Sequence, residues 1–380
     1  MDTVELLQHL VRMDTCAAGE RQALRFLADL LEPAGFSCHF EDYLPADRRM
    51  DACNLYAVLN EGAKGEALFF GGHIDTVPVA ASSWSIPPFA AEIRGDRLYG
   101  RGAVDMKSGL AAFVSAALEA APLIEDRELI LHIYGGEEHG CLGSRVAKKA
   151  IAASSAAVAI IAEPTNARPL VGHRGAFWLD LRTRGVAAHA SMPEKGENAL
   201  AKMLPVANRL LDYRLPDVSH PYLGTGTFVV STLHAGINSN SVPDSALLTI
   251  DIRTVPGQKS VEILGDIENI VRNEAALEVT VDLEPVWTDP ELPWVKRVRG
   301  ICGDLLGDTV GIETVAFFTD AASVRQTLGG IPIVILGPGE PALAHKVDEW
   351  CSITQLLTVE KMYARIIRDW YQGQISEDSD

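Results

Sequence analysis

No C-x-x-C pair occurs in this sequence, and its six cysteines (residues 16, 38, 53, 141, 302 and 351) lie scattered along the chain. That spacing excludes a thiolate zinc site and gives no sign of a disulfide framework. Reduced, mostly buried thiols in a cytoplasm are expected. Cys141 stands near Glu138, where packing rather than catalysis is its expected role. Nor is there a long basic run to offset the formal charge of −18. Nucleic-acid grooves and anionic membrane surfaces are therefore poor partners for it. No run approaches about 18 apolar residues without a charge, which argues against a membrane-spanning helix. The opening "MDTVELLQHLVRMDTCAAGE" has no basic segment followed by an apolar core, so it does not read as a signal peptide. It reads as an amphipathic helix interrupted by acids. Several catalytic signatures are also missing: GxSxG, HExxH, GxxxxGK[ST] and GxGxxG. "GTGTFV" and "GPGEPA" are glycine-rich without matching any of them, and no internal repeat is visible.

What is present describes an ordinary globular chain. Hydrophobic residues make up 47% and charged ones 22%, ample for a core. The 380 residues suit two domains at roughly 100–200 residues each. Up to residue 172, helical stretches ("ELLQHLV", "RQALRFLADLLEPAG", "MKSGLAAFVSAALEAA") alternate with short apolar runs ("NLYAVLN", "EALFFGGH", "ELILHIYGG", "AVAIIAEP"). Runs of that kind, ending in turn residues, are strands buried on both faces. The pattern predicts an α/β fold with a mostly parallel sheet. Between 173 and 286 the order becomes β-α-β-β-α-β, a ferredoxin-like α+β unit. Its strands are "GAFWLDLRTRG", "GTFVVSTLHAG", "ALLTIDIRTV" and "LEVTVDLEP", and its helices run from about 198 to 213 and 260 to 275. Buried-strand patterns resume afterwards, so one domain is expected over 1–172 and 287–380, with 173–286 inserted. The last helix, "ITQLLTVEKMYARIIRDWYQ", should give way to a frayed acidic tail.

The strand-like runs of the first domain finish in metal-capable side chains. "ALFFGGHIDTVPV" delivers His73 and Asp75, and "LYGRGAVDMKSG" delivers Asp105 just ahead of a helix. "LHIYGGEEHG" delivers Glu137 and Glu138, "AIIAEPT" delivers Glu163, and "LGPGEPALAHKVDEW" presents His345. Taken singly, each has a plain alternative. Asp105 serves equally as a helix cap, the adjacent glutamates as a solvated loop, and the two histidines as turn or surface groups. Taken together, two imidazoles and three or more carboxylates at the carboxyl ends of strands suit a pair of divalent ions, zinc above all.

"GGHIDTVPV", "LYGRGAVDMKSG", "GGEEHG", "AEPT" and "AHKVDEW" together resemble the M20 metallopeptidase family, in order and over nearly the whole chain. The branch they resemble is that of acetylornithine and succinyl-diaminopimelate deacylases. "AEPTNARPLVGHRG" and "LGPGEPALAHKVDEW" look most like acetylornithine deacetylase. The resemblance implies two zinc ions per subunit, with cobalt as a possible substitute. His73 and Glu163 would hold one ion, Glu138 and His345 the other, and Asp105 would bridge them. Asp75 would orient His73, and Glu137 would be the general base. It also implies that the inserted unit is a lid and dimerisation domain, making the protein a homodimer. There His189 would help stabilise an oxyanion, often in the partner's site, while Asn240 and Arg253 would bind substrate. By residue type alone, Asn240 could equally hold a turn, and Arg253 could pair across the sheet. "AFFTDAAS" departs from the glycine-threonine start common in the family, with Phe317 and Phe318 in its place. That departure leaves the preferred acyl group open.

The activity implied is hydrolysis of a linear amide in a small N-acyl amino acid. The nearest alternative is a carboxypeptidase or dipeptidase acting on a short peptide with the same metals. A more distant one is a non-catalytic metal-binding assembly protein.

Overall fold

Strands Ala67–His73 and Leu129–Tyr134 are buried along their whole length, as apolar runs without alternation should be in a sheet covered on both faces. The computed structural model describes residues 1–16, 18–44, 52–79, 83–147, 151 and 154–373. The acidic tail expected from 374 onward lies outside the described residues. Two compact units result. One comprises Met1–Gly172, Trp287–Thr314 and Thr319–Asp380, the other His173–Val286 and Val315–Phe318.

In the first unit the main sheet includes, in spatial order, Phe36–Asp42, Cys53–Leu59, Leu129–Tyr134, Ala67–His73, Ala156–Ile161 and Ile333–Ile335. The last four of these run parallel, and the first two pair antiparallel at the edge. The sheet's parallel centre is the α/β layer that the apolar runs predict. After Ala67–His73 the chain adds Leu129–Tyr134 on one side and Ala156–Ile161 on the other. A strand flanked in this way marks the point in an open α/β sheet where ligands bind beyond the carboxyl ends.

Helices cover this sheet for local reasons. Thr3–Arg12 begins with a capping box, in which Asp2 accepts the Glu5 amide at 2.8 Å and Glu5 accepts the Asp2 amide at 3.1 Å. Glu20–Leu31 stops ahead of Pro33 and Gly35. Lys107–Ala120 packs against Thr3–Arg12 and Ile353–Tyr371, and its closeness to the sheet depends on two glycines. A Cβ on Gly72 would lie 2.3 Å from the Met106 Cε, and one on Gly109 would lie 2.0 Å from the Ala162 carbonyl oxygen. Without side chains there, the start of the helix sits against the two strand ends that lead to His73 and Glu163.

The second unit is a four-stranded antiparallel sheet in the order Thr227–Ala235, Ser245–Arg253, Ala176–Arg184, Ala276–Leu283. Helices Ala199–Leu211 and Ser260–Val271 cover one face, burying Met203, Leu210, Ile263 and Ile267 against Leu179, Leu181, Leu248 and Ile250. The chain order is β-α-β-β-α-β. The second helix ends earlier than its apolar pattern predicts, because Arg272 and Asn273 are both left-handed (φ 54° and 61°). No glycine announces that stop, so the pattern alone runs on past it.

Candidate metal centre

The parallel centre of the sheet brings its carboxyl ends to one edge. His73 is the last residue of its strand and lies level with Tyr134 of the neighbour. Just past Tyr134, left-handed Gly136 (φ 70°) turns the chain into a single 3₁₀ turn holding Glu137 and Glu138. Glu163 follows shortly after strand Ala156–Ile161. Asp105 precedes helix Lys107–Ala120, but that helix has Met106 at its N-cap and no side-chain cap. The capping role is thus excluded, and the carboxylate of Asp105 points elsewhere.

It points at two imidazoles. Asp105 Oδ1 lies 3.2 Å from His73 Nε2, and Oδ2 lies 3.2 Å from His345 Nε2. His73 Nε2 is 3.7 Å from Glu163 Oε1, and His345 Nε2 is 3.0 Å from Glu138 Oε2. The side chains form two triads, His73–Asp105–Glu163 and Asp105–Glu138–His345, and within each the donor atoms lie no more than 4.8 Å apart. Asp105 belongs to both. Glu137 Oε2 stands 3.9 Å from His73 Nε2. With Glu137 only 8% exposed, the "GGEEHG" segment is not a solvated loop.

Asp75 holds this arrangement from behind. Fully buried, it accepts the amides of Glu137 at 3.0 Å and Glu138 at 3.1 Å. Its backbone carbonyl lies 3.0 Å from His73 Nδ1, with its carboxylate at 3.4 Å. One residue therefore contacts the imidazole, which it could orient, and holds the turn that carries both glutamates. The first of these jobs is common beside metal-bound histidines; the second was not legible from residue type.

The acids are crowded and dry. Burial pushes Glu163 well above the usual carboxyl range; Asp105, Asp320 and Glu138 add to the rise, and His73 opposes it. Glu137 is also pushed well up, by burial and by Glu163, Asp320 and Glu138 against the pull of His73. Burial alone would lower His73, but Glu163, Asp105 and Asp75 carry it well above its ordinary value. Among the described residues, no hydrogen-bond donor serves the Glu163 carboxylate, which is 3% exposed. A buried charge needs a counter-charge. Oxygen and imidazole donors without thiolate suit borderline divalent cations, so the residues present fit a pair of such ions.

Two further groups close around the site without having been singled out from the sequence. Asp320, from "AFFTDAAS", is fully buried and accepts the Ser144 hydroxyl at 2.6 Å. Burial raises it to about 6, with His73 and Ser144 opposing. Cys141 is buried as expected, and its thiol donates to Glu137 Oε1 at 3.5 Å. The other group is the pair Arg101–Glu349, whose place inside two quoted motifs was the available signal.

The remaining residues of interest belong to the second unit. His189 is exposed, with Nδ1 2.7 Å from the Ser191 hydroxyl. The Ala190 amide donates to the Asn240 carbonyl at 2.9 Å, so the His189 and Asn240 loops lie side by side. Arg253 donates from Nε and Nη2 to the Asp251 carboxylate at 2.7 and 2.9 Å. That pairing runs along one strand rather than across the sheet, since residues two apart share a face. The Arg253 guanidinium also lies 5.1 Å from the Phe318 ring centroid, and Phe318 stands edge-on to Trp178.

Comparison with known proteins shows a family and a fold. The sequence signature of peptidase family M20/M25/M40 matches residues 69–369. Succinyl-diaminopimelate desuccinylase 2 of Ruegeria sp. (strain TM1040) is 30% identical over 391 residues, which cover 98% of this chain and 96% of that one. Among solved structures, the M20 family metallo-carboxypeptidase Sso-CP2 from Sulfolobus solfataricus superposes with a TM-score of 0.82 at 18% identity. That match covers 98% of this chain and all (100%) of the other. The YXEP protein of Bacillus subtilis, described as a dinuclear metal binding peptidase from the M20 family, gives 0.65 at 14% identity, covering 97% and 98%. The Ruegeria relative is named for a succinyl group, so an acetyl preference rests on the motifs alone.

Proposed function

Because the chain belongs to peptidase family M20/M25/M40, a family of metal-dependent hydrolases, we propose that it hydrolyses the amide of an N-acyl amino acid at a centre of two zinc ions. One observation carries the reading. The two oxygens of Asp105 face different imidazoles, each flanked by one further carboxylate. His73, Asp105 and Glu163 would hold one ion and Asp105, Glu138 and His345 the other. Bound there, divalent ions would polarise the amide carbonyl and ease ionisation of water. Glu137 takes the proton of the attacking water and delivers it to the departing amine. Asp75 keeps Glu137 in reach by holding its amide. His189 stabilises the oxyanion, and Asn240 and Arg253 bind the substrate; these assignments follow the family resemblance. The products are a carboxylate and a free amino acid.

The test is a panel of N-acetylornithine, N-succinyl-diaminopimelate and dipeptides with zinc-loaded protein. Turnover of an acyl amino acid well above that of every dipeptide supports the proposal, and the reverse order makes the protein a peptidase. No metal-dependent hydrolysis of any of them would leave a binding or assembly role.

Two predictions arise from the second unit. If Arg253 binds a free α-carboxylate, removing that carboxylate from the substrate should lower kcat/KM by about 10–100-fold, the range of one charge-assisted hydrogen bond. In Arg253→Ala the same change in substrate should matter little. Equal penalties in the two proteins would move carboxylate recognition elsewhere, such as the loop around Gly337 and Gly339. We also propose a homodimer in which His189 serves the neighbouring site. Mixing inactive His189→Ala chains with inactive Glu137→Ala chains should then recover part of the activity. No recovery despite proven subunit exchange would assign His189 to its own chain or to no catalytic role.

A further inference from the structure

Glu349 lies four residues beyond His345, is 1% exposed, and is engaged by four donors. Its Oε2 accepts Arg101 Nη1 at 2.6 Å and the Gly102 amide at 3.1 Å. Its Oε1 accepts the Val104 amide at 2.7 Å and the amide of Asp105 itself at 3.2 Å. One carboxylate thus grips the loop that ends in the residue shared by both triads. Arg101 Nη1 reaches the other way as well, to the Lys346 carbonyl at 3.4 Å. The neighbouring Asp348 accepts the Ser85 amide at 2.8 Å and the Ser85 hydroxyl at 2.7 Å. Strand Trp350–Ser352 pairs antiparallel with Arg97–Tyr99, which lays residues 345–349 alongside 100–105.

His345 and Asp348 both have left-handed backbones, at φ 62° and 56°, which are uncommon outside glycine even though histidine and aspartate adopt them more often than most residues. His345 is also half exposed and belongs to no strand or helix. His73 and Glu163, by contrast, extend from strands bonded to parallel neighbours. A buried ion pair contributes little net stability as a rule, because desolvating both charges offsets their attraction. What Arg101 and Glu349 do accomplish is geometric: they join the Asp105 loop to the His345 loop.

We propose that Glu349, assisted by Asp348, is a positioning residue that sets Asp105 against His345 and so determines the affinity of the ion held by Asp105, Glu138 and His345. This rests on the two-ion reading above, and the experiment separates the two. Metal-stripped full-length protein is titrated with zinc by calorimetry, and the thermal midpoint of each metal-free protein is measured alongside. Wild type should take two ions, and His345→Ala identifies which equivalent belongs to its triad. Glu349→Gln should weaken that same equivalent about 10–100-fold, as loss of a partner behind a metal ligand typically does, and change the other by less than about threefold. Asp348→Ala strands no buried charge, should fold whatever Glu349→Gln does, and should weaken the same equivalent to a smaller degree. A wild type that takes fewer than two ions overturns the two-ion reading and this inference with it. Two ions with unchanged affinity in both variants overturn the positioning role alone. Equal weakening of both ions with a lower metal-free midpoint would also overturn it, since Glu349 would then only hold the fold together.

Discussion

Stripping the protein of divalent ions with a strong chelator is expected to lower amide hydrolysis by about 10³-fold or more, the effect of losing several kcal/mol of charge stabilisation at the carbonyl and the attacking water. Zinc or cobalt added back should restore the rate. The expectation comes from the donor set: five side chains offer only oxygen and imidazole, and Asp105 is shared between the two triads. Metal content and turnover need to be measured on the same sample. Full activity in a preparation verified to be metal-free would remove the basis for any metal-assisted reading. Removal should also lower the thermal midpoint. Ions that bind only the folded chain stabilise it by mass action, and without them Glu137, Glu138 and Glu163 are left crowded beside Asp105 and Asp320.

The strand ends behind this expectation are legible in the sequence, for a physical reason. A strand buried on both faces must be a continuous apolar run, so the first polar residue after it stands out. His73 after "ALFFGG" and Glu163 after "AIIA" are visible in this way, and parallel pairing of their strands puts them on one edge. The ferredoxin-like unit is legible as well, because its half-buried strands alternate and its helices do not. Hydrogen bonds between distant segments are less visible. Glu349 grips residues 101–105 across more than two hundred positions, and no periodicity records such a contact. Asp320 meets Ser144 in the same manner. Asp75 illustrates a third limit, since its residue type suggests one job but its position gives it two. The helix that ends at Val271 shows a fourth. Its left-handed stop is made by Arg272 and Asn273, where a glycine would have been the readable signal.

The adjacent acids of "GGEEHG" should separate cleanly by mutation. Glu137→Gln is expected to keep the fold and both ions while turnover falls by about 10²–10⁴-fold, the usual contribution of a positioned acid–base group. The amide retains the size and most of the hydrogen-bonding shape of the carboxylate but cannot take up the water's proton. Its backbone amide would still be held by Asp75, so the turn should not shift. Glu138→Gln is expected to act differently. The Glu138 carboxylate lies 3.0 Å from His345 Nε2 and belongs to the triad with Asp105, and a neutral amide is a poorer partner for a divalent cation. That variant should lose affinity for one ion first and activity as a consequence, so excess zinc should recover part of its rate. Excess zinc should do nothing for Glu137→Gln. Single-turnover hydrolysis belongs beside the metal titration, because weakened substrate binding would otherwise imitate a lost base. Were Glu137→Gln to lose metal while Glu138→Gln kept it, the two roles would be exchanged. Were neither change to alter metal content or rate, the pair would have no part in the chemistry, and a buried carboxylate 3.9 Å from the His73 imidazole would need another explanation.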